Sequence, residues 1–445
     1  LEQALNTFKD KIKGYIIWDK NVRTSLIVSF TLAGLEKAIV ISEDMIPLME
    51  KLGLKQIEDF RGKFTGKNDY EIYSWAYDKY WKDCSREYIV WIGGEHGKIM
   101  KPGVVDFGMT KKAFFSDLSA DEKDTLECSL TKKLFSEMKP FSMVMGWHSY
   151  KKDLEETFVA LLSKYALRME GLHTLPNMSF MCRVPLAEGF KFKNNHNIKP
   201  GVTYKPENKI YISFIQTDCL GLGAWTRPGR GDIPYTWEVT MNWVWLAPAL
   251  LESFYAQATP NDYFLGSLSG PGYLYPKNVP KKYLPKLIEM AKDLMQKLDL
   301  NAFEIMDYSE DGDIEGNSDL TPEVVDAYFE GMPDAIGFVN GYYPSSTFAK
   351  RGKRVLISFD YYLSKERPED DAVSDLKELA KLNPQRPYFL IAHIRQWSDI
   401  SRVKKIYDKL GPEFELIPLD IMLKMAAENP TFVEKYFDIK ERKKK

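Results

Sequence analysis

The chain has 445 residues, enough for two or three domains with buried cores, and its 61 Lys and Arg against 63 Asp and Glu leave a formal net charge of −2. That balance excludes a polyanion such as DNA as the main partner, so no nucleic acid is expected; the Lys-rich end at 440–445 reads as a solvated tail. Aromatic residues make up 13%, a supply suited to ring-lined clefts that hold sugars by stacking.

Cys84, Cys128, Cys182 and Cys219 are far apart and show no C-x-x-C spacing, so neither a zinc site nor a disulfide framework is implied. No run of eighteen apolar residues occurs, so no membrane span is expected. The chain starts at Leu1 and not Met, which reads as a processed or trimmed end.

In chain order, strands are predicted at 14–19, 38–42, 87–93 and 142–147, between helices at 24–36, 44–52, 70–83, 121–138 and 153–166. Apolar strands alternating with helices predict a parallel sheet covered on both faces, so residues 1–185 read as an N-terminal α/β parallel-sheet domain. Residues 186–208, rich in Gly, Asn, Lys and Pro and without periodicity, read as a linker. The alternation then restarts over 209–445. Strands are predicted at 209–217, 262–269, 302–307, 335–341, 354–360, 387–393 and 414–419, with helices at 248–257, 281–298, 321–331, 370–382 and 400–410. Seven strands with helical crossovers predict an α/β fold: a C-terminal distorted (β/α)7, TIM-like barrel, with an open doubly wound sheet as the alternative.

In a parallel barrel the reactive residues sit where the strands end. Those ends carry Asp218, Asp307, Tyr308, Asn340, Tyr342, Tyr343, Asp360, Tyr361, His393, Arg395, Trp397 and Asp420. Any one such Asp can be a turn or cap residue. Seven polar ends in a row point to a cleft. Carboxylates among rings are the equipment of glycoside hydrolysis, in which one acid protonates the leaving oxygen and a second acts as nucleophile or as base for water. Asp218, Asp307 and Asp360 are the expected catalytic acids. Glu238 and Glu304 are the candidate glutamates, although Glu304 could face outward from its strand. Substrate contacts are expected from Trp225, Asp262, Tyr273, Tyr275, Asn340, His393 and Trp397. Four tryptophans, Trp225, Trp237, Trp243 and Trp245, fall within 225–245. They read as a sugar-stacking wall or, equally, as core packing and a lid hinge.

Gly270-Pro-Gly-Tyr-Leu-Tyr-Pro276 leaves the strand at 262–269. Its glycines allow a sharp turn and close approach to a ligand, and its tyrosines bring rings with polar tips. The pattern G-x-G-Y-x-Y-P resembles the signature of the GxGYxYP family of glycoside hydrolases. Ala258-Thr-Pro-Asn-Asp262-Tyr-Phe before it looks like the same family's core block. Lys13-Gly-Tyr-Ile-Ile-Trp-Asp19, Thr31-Leu-Ala-Gly-Leu35, Asp59-Phe-Arg61, Gly146-Trp147 and Asn177-Met-Ser-Phe180 look like its accessory domains. The resemblance implies an exported, carbohydrate-associated protein, secreted or periplasmic. The family's S-D-G-D-N-like turn reads Thr217-Asp218-Cys219-Leu220-Gly221 here. Asp218 is kept while Leu220 and Gly221 replace a second Asp and an Asn.

Position 275 is Tyr, so the dinucleotide fingerprint lacks its third glycine, and Leu268 stands where a nucleophile elbow needs Ser. The five histidines, His96, His148, His173, His196 and His393, show no H-x-x-x-H spacing, so metal-dependent deacetylation is not expected and no catalytic metal or cofactor is. Asp307, Asp311 and Asp313 resemble the first part of a calcium loop, but position twelve is Ser318 and not Glu. Arg230-Gly231-Asp232 is discounted as an adhesion motif. The expected function is hydrolysis of a poly- or oligosaccharide by strand-end carboxylates. The alternative is a carbohydrate-binding protein of the same fold with altered chemistry.

Overall fold

The computed structural model describes residues 1–94, 102–171, 177–309 and 318–437. The chain divides into two compact units, Leu1–Arg183 and Val184–Lys445.

The first unit holds two parallel sheets rather than one. Strands β1 (Tyr15–Ile17), β2 (Ile39–Ile41) and β3 (Gln56–Asp59) pair in the order β2-β1-β3. Strands β4 (Tyr88–Gly94), β5 (Phe114–Ser116), β6 (Met143–Ser149) and β7 (Arg168–Glu170) pair in the order β5-β4-β6-β7. The longer apolar strands are where the sequence predicts them. The short strands β3, β5 and β7 are additions: each carries polar residues, unlike the equally short but wholly apolar runs of β1 and β2. The helix Asp69–Tyr80 begins at a capping box: Asn68 accepts from the Glu71 N–H and the Glu71 carboxylate accepts from the Asn68 N–H, both at 2.9 Å.

The second unit is built on a ten-stranded sheet. Its strands are β8 (Ile210–Gln216), β9 (Tyr235–Val239), β10 (Asp262–Gly266), β11 (Ala302–Ile305), β12 (Gly337–Asn340), β13 (Ala349–Arg351), β14 (Arg354–Ser358), β15 (Tyr361–Leu363), β16 (Tyr388–Ile394) and β17 (Phe414–Leu416). The order is β13-β14-β12-β11-β10-β9-β8-β16-β15, with β17 also on β8, and every pair but β13–β14 is parallel. Every residue of β8 to β12 is buried, as parallel strands covered on both faces must be. β9 lies inside the tryptophan-rich stretch and is not among the predicted strands. β17 pairs with the first residues of β8, while β9 meets β8 only at Ile215 and Gln216, so β17 fills the gap where β8 and β9 splay.

Two short strands at nearly opposite ends of this order, β14 and β15, are separated in sequence only by Phe359 and Asp360. The Phe359 N–H donates to the Asn340 carbonyl on β12 (3.1 Å), and the Asp360 N–H donates to the Ile391 carbonyl on β16 (3.0 Å). The core gathers Ile215, Leu265, Val339, Ile357, Phe359 and Ile391 from these strands with Leu419, Met422 and Leu423 of the helix Leu419–Glu428.

The segment at 186–208 belongs to the second unit and is held by its asparagines. β10 joins β11 only at Gly266, which leaves earlier backbone groups of β10 without a strand partner. Asn194 accepts from the Phe264 N–H (2.9 Å) and donates to its carbonyl (2.8 Å), and Asn195 donates to the Asp262 carbonyl (2.7 Å). Buried backbone polar groups must be paired, and here side chains do what a strand would do.

Candidate functional site

Glu238 on β9, Glu304 on β11 and His393 on β16 are each the penultimate residue of their strand, and none is more than 1% exposed. The three strands are not hydrogen-bonded neighbours, yet the side chains meet: one donor atom from each lies within 4.8 Å of the others. The sheet therefore curls enough to bring them onto one point. His393 Nε2 is 2.7 Å from Glu238 Oε1 and 3.7 Å from Glu304 Oε1.

The tautomer follows from the other ring nitrogen. His393 Nδ1 lies 2.7 Å from the Tyr342 carbonyl, which can only accept, so Nδ1 carries a proton and Nε2 faces the glutamates. Phe359 stacks on the imidazole, with ring centroids 3.8 Å apart. Glu238 Oε2 accepts from the Cys219 N–H at 3.2 Å. Two successive left-handed residues after β8, Asp218 and Cys219 (both φ 65), aim that N–H. Such backbone costs on the order of 1–3 kcal/mol per residue and persists only where its surroundings enforce it. The Cys219 thiol is pushed well up by burial and by Glu238, so it is no nucleophile.

Glu304 stands differently. Neither of its oxygens has a hydrogen-bond partner among the described groups, apart from a proton it can share with Glu238. Burial, then the Glu238 carboxyl, then the charge of Asp218 push it well above the ordinary carboxylate range. Two oxygen donors and one imidazole nitrogen could also hold a divalent cation.

Around this centre runs a row of rings. Tyr308, Tyr342, Tyr343 and Tyr362 lie 5.0–6.1 Å apart, centroid to centroid, in successive contacts, and Tyr342 packs edge-on against His393 at 5.1 Å. Arg395 bonds both Asp218 and the Tyr342 hydroxyl, closing a rim in which the Asp218 side chain is 33% exposed. Further out, Trp397 is 42% exposed in a left-handed conformation (φ 78). Its ring fits because residue 223 is Gly; a Cβ there would come within 2.3 Å of it.

Three family models match the chain. The GxGYxYP putative glycoside hydrolase C-terminal domain matches residues 208–427, the GxGYxYP_N second domain 12–84, and the GxGYxYP third domain 86–183. The chain belongs to the GxGYxYP family. The crystal structure of a putative hydrolase from Bacteroides thetaiotaomicron VPI-5482 has the same fold, with a TM-score of 0.76 at 18% identity over 96% of this chain and 83% of that one. No curated protein matches the chain.

In this GxGYxYP chain only some of the residues singled out from sequence converge. Asp218 reaches the rim and His393 the centre, joined there by Glu238 and Glu304. Asp307 is fully buried and hydrogen-bonded: it accepts from the Ser309 N–H (2.9 Å) and hydroxyl (2.5 Å) and from the Lys277 N–H (2.8 Å), tying the signature loop to the end of β11. Asp311 and Asp313, the other two calcium-loop candidates, lie outside the described residues. Asp360 accepts from the Tyr388 hydroxyl (2.8 Å) and the Ile391 N–H (3.0 Å), one on each oxygen, and so holds the break between β14 and β15 to β16. Asp262 stands at the opposite end of its strand, clamped by Trp237, Arg230 and Thr259. Trp225 is 2% exposed among Trp237, Phe254 and Phe264, which is core packing rather than a sugar wall. Tyr273 and Tyr275 are buried, hydroxyl to hydroxyl at 3.0 Å, where Gly272 turns with φ 126. Asn340 is buried, with its amide nitrogen 3.0 Å from the hydroxyls of Ser345 and Ser358.

The four cysteines are free thiols, and no helix of the described residues is long and apolar enough to cross a membrane. A groove of about 580 Å³ in the first unit is lined by Asp121, Asp124 and Lys152. Lys152 is committed there to Asp69 (2.7 Å) and Glu127 (2.9 Å).

Burial raises Asp360 from 3.8 to about 7. Between those values the native chain holds a proton that the unfolded chain has released. Stability therefore falls as pH rises through that window, and the loss is complete above it. Asp360→Asn is expected to abolish that component, worth about 2–4 kcal/mol between pH 4 and pH 8, as read by denaturant melts at both ends.

Proposed function

We propose that this chain is a glycoside hydrolase whose reaction centre is the Glu238–Glu304–His393 set at the mouth of a (β/α)7-like barrel. The observation that carries the reading is the convergence of two glutamates from non-adjacent strands within 4.8 Å of each other and of an imidazole. Barrel closure is supported by the amides of Phe359 and Asp360, which bond to β12 on one side and β16 on the other.

Retaining glycosidases use carboxyl groups about 5 Å apart, whereas inverting ones leave room for a water at about 6.5–9.5 Å. The close approach of Glu238 and Glu304 supports retention. Glu304, level with Val339 and Ile357 in the sheet register and with no partner among the described residues but Glu238, is the proton donor to the leaving oxygen. Glu238, fixed by the Cys219 N–H and the imidazole, is the nucleophile. Asp218 serves at the rim, where its pairing with Arg395 orients Tyr342 for sugar contact. The tyrosine row and Trp397 supply stacking surfaces for a poly- or oligosaccharide. An exported location belongs to the same reading.

The test is proton NMR of the first-formed sugar while a glycan panel is digested. The expected product keeps the anomeric configuration of the substrate; inversion would remove Glu238 from its role. A glycan-binding protein without chemistry is the second reading, favoured by the near-complete burial of both glutamates. Array binding with no product from any bound glycan would establish it.

A further inference from the structure

The same centre has the make-up of a metal site. His393 donates Nδ1–H to the Tyr342 carbonyl, which is how metal-binding histidines are commonly held, leaving Nε2 to face the ion. Glu304 brings two buried oxygens that no donor among the described residues satisfies. Glu238 is anchored from behind by the Cys219 N–H, so one oxygen is steadied and the other points inward.

Spacing agrees with composition. Ligands about 2.0–2.1 Å from a tetrahedral Zn²⁺ lie about 3.3 Å from one another. The distances from His393 Nε2, 2.7 Å to Glu238 and 3.7 Å to Glu304, bracket that value, so small side-chain rotations suffice. Two carboxylates against one divalent cation sum to zero charge, which suits a buried sheet in which Leu265 is level with Glu238, and Val339 and Ile357 with Glu304. A nitrogen ligand and only three protein donors select a borderline ion such as Zn²⁺ or Co²⁺ over Ca²⁺, which takes six to eight oxygens.

We propose that Glu238, Glu304 and His393 bind one Zn²⁺-class ion, and that this ion takes the place of the proton used in glycoside cleavage. The inhibitory half rests on the hydrolase reading above; the binding half does not. A loaded centre has no free acid at Glu304 and no free nucleophile at Glu238, so zinc silences the hydrolase reversibly.

The experiment titrates chelator-treated, dialysed full-length protein with Zn²⁺, Co²⁺ and Ca²⁺ by calorimetry, and follows Co²⁺ by visible absorption. One equivalent of Zn²⁺ and of Co²⁺ is expected, with a four-coordinate cobalt spectrum and a higher melting temperature. Ca²⁺ should bind far more weakly. Glu304→Gln keeps the shape of the site but removes a charged ligand, and should weaken Zn²⁺ by roughly tenfold or more. Glu238→Gln is the second variant, and circular dichroism verifies that both fold. Absence of saturable Zn²⁺ binding, Ca²⁺ affinity equal to that of Zn²⁺, or unchanged affinity in both folded variants would overturn the site. On any glycan the protein cleaves, Zn²⁺ should stop release and a chelator should restore it; zinc activation would overturn the inhibitory role. Lack of cleavage in every state would count against the hydrolase reading alone.

Discussion

Glu304→Gln is expected to lower kcat on natural glycans by roughly 10²–10⁴-fold, the range of a lost general acid. The amide has the carboxyl's shape but no proton to give. The loss should depend on the leaving group. A nitrophenolate departs without protonation, so kcat/KM, which reads the first step, should stay close to wild type on nitrophenyl glycosides and fall on sugar leaving groups, while kcat falls on both because Glu304 is also the base for water in the second step. The physical cause is on the strand itself: a buried carboxyl, with no donor on either oxygen among the described residues and another carboxyl beside it, holds its proton more tightly than an exposed acid would. The kinetic split is the check. Equal losses of kcat/KM on both substrate kinds would point to a structural role.

Asp262→Ala is expected to unfold rather than to disarm. Asp262 is fully buried and accepts from the Trp237 indole (2.8 Å), the Arg230 guanidinium (2.8 Å) and both the N–H and hydroxyl of Thr259. Alanine strands a buried indole N–H and a guanidinium together, at a cost of about 3–5 kcal/mol. In a unit of this size that lowers the melting temperature by roughly 6–15 °C. Turnover per folded molecule should be unchanged, since the residue lies at the opposite end of β10 from the proposed centre. A loss of turnover with intact stability would return Asp262 to the substrate site.

The parallel α/β class was legible because buried strands are written as continuous apolar runs, such as Ile210–Gln216 and Tyr388–Ile394. The hydrogen bonds of Phe359 and Asp360 were not, because a two-residue break in a strand leaves no periodic mark. The candidate site was half legible. Aspartates at strand ends drew attention, yet Asp307 and Asp360 do the ordinary work of that residue type there, accepting backbone N–H groups. The stronger signal lay one step inside the strands. An ionisable residue in the midst of an apolar run, as in Ala302-Phe-Glu-Ile-Met306, Tyr235-Thr-Trp-Glu-Val239 and Phe389-Leu-Ile-Ala-His-Ile394, is costly to bury and needs a partner. Three such residues in one unit imply one another. Glu238 stayed in the background because β9 was hidden among tryptophans whose rings are mostly interior: Trp225 and Trp237 pack on each other at 5.0 Å. Loop geometry was beyond reach as well. The left-handed turn at Asp218 and Cys219, which brings an N–H onto Glu238, has no glycine to announce it.

The central claim is that a sugar bonds covalently to Glu238 during the reaction. A 2-deoxy-2-fluoro glycoside with a good leaving group slows breakdown of that intermediate, and peptide mass spectrometry then locates the label. The account predicts one sugar per chain, on the peptide carrying Glu238, and none in Glu238→Gln. A label on Asp218, or inactivation that leaves Glu238 unmodified, would contradict it.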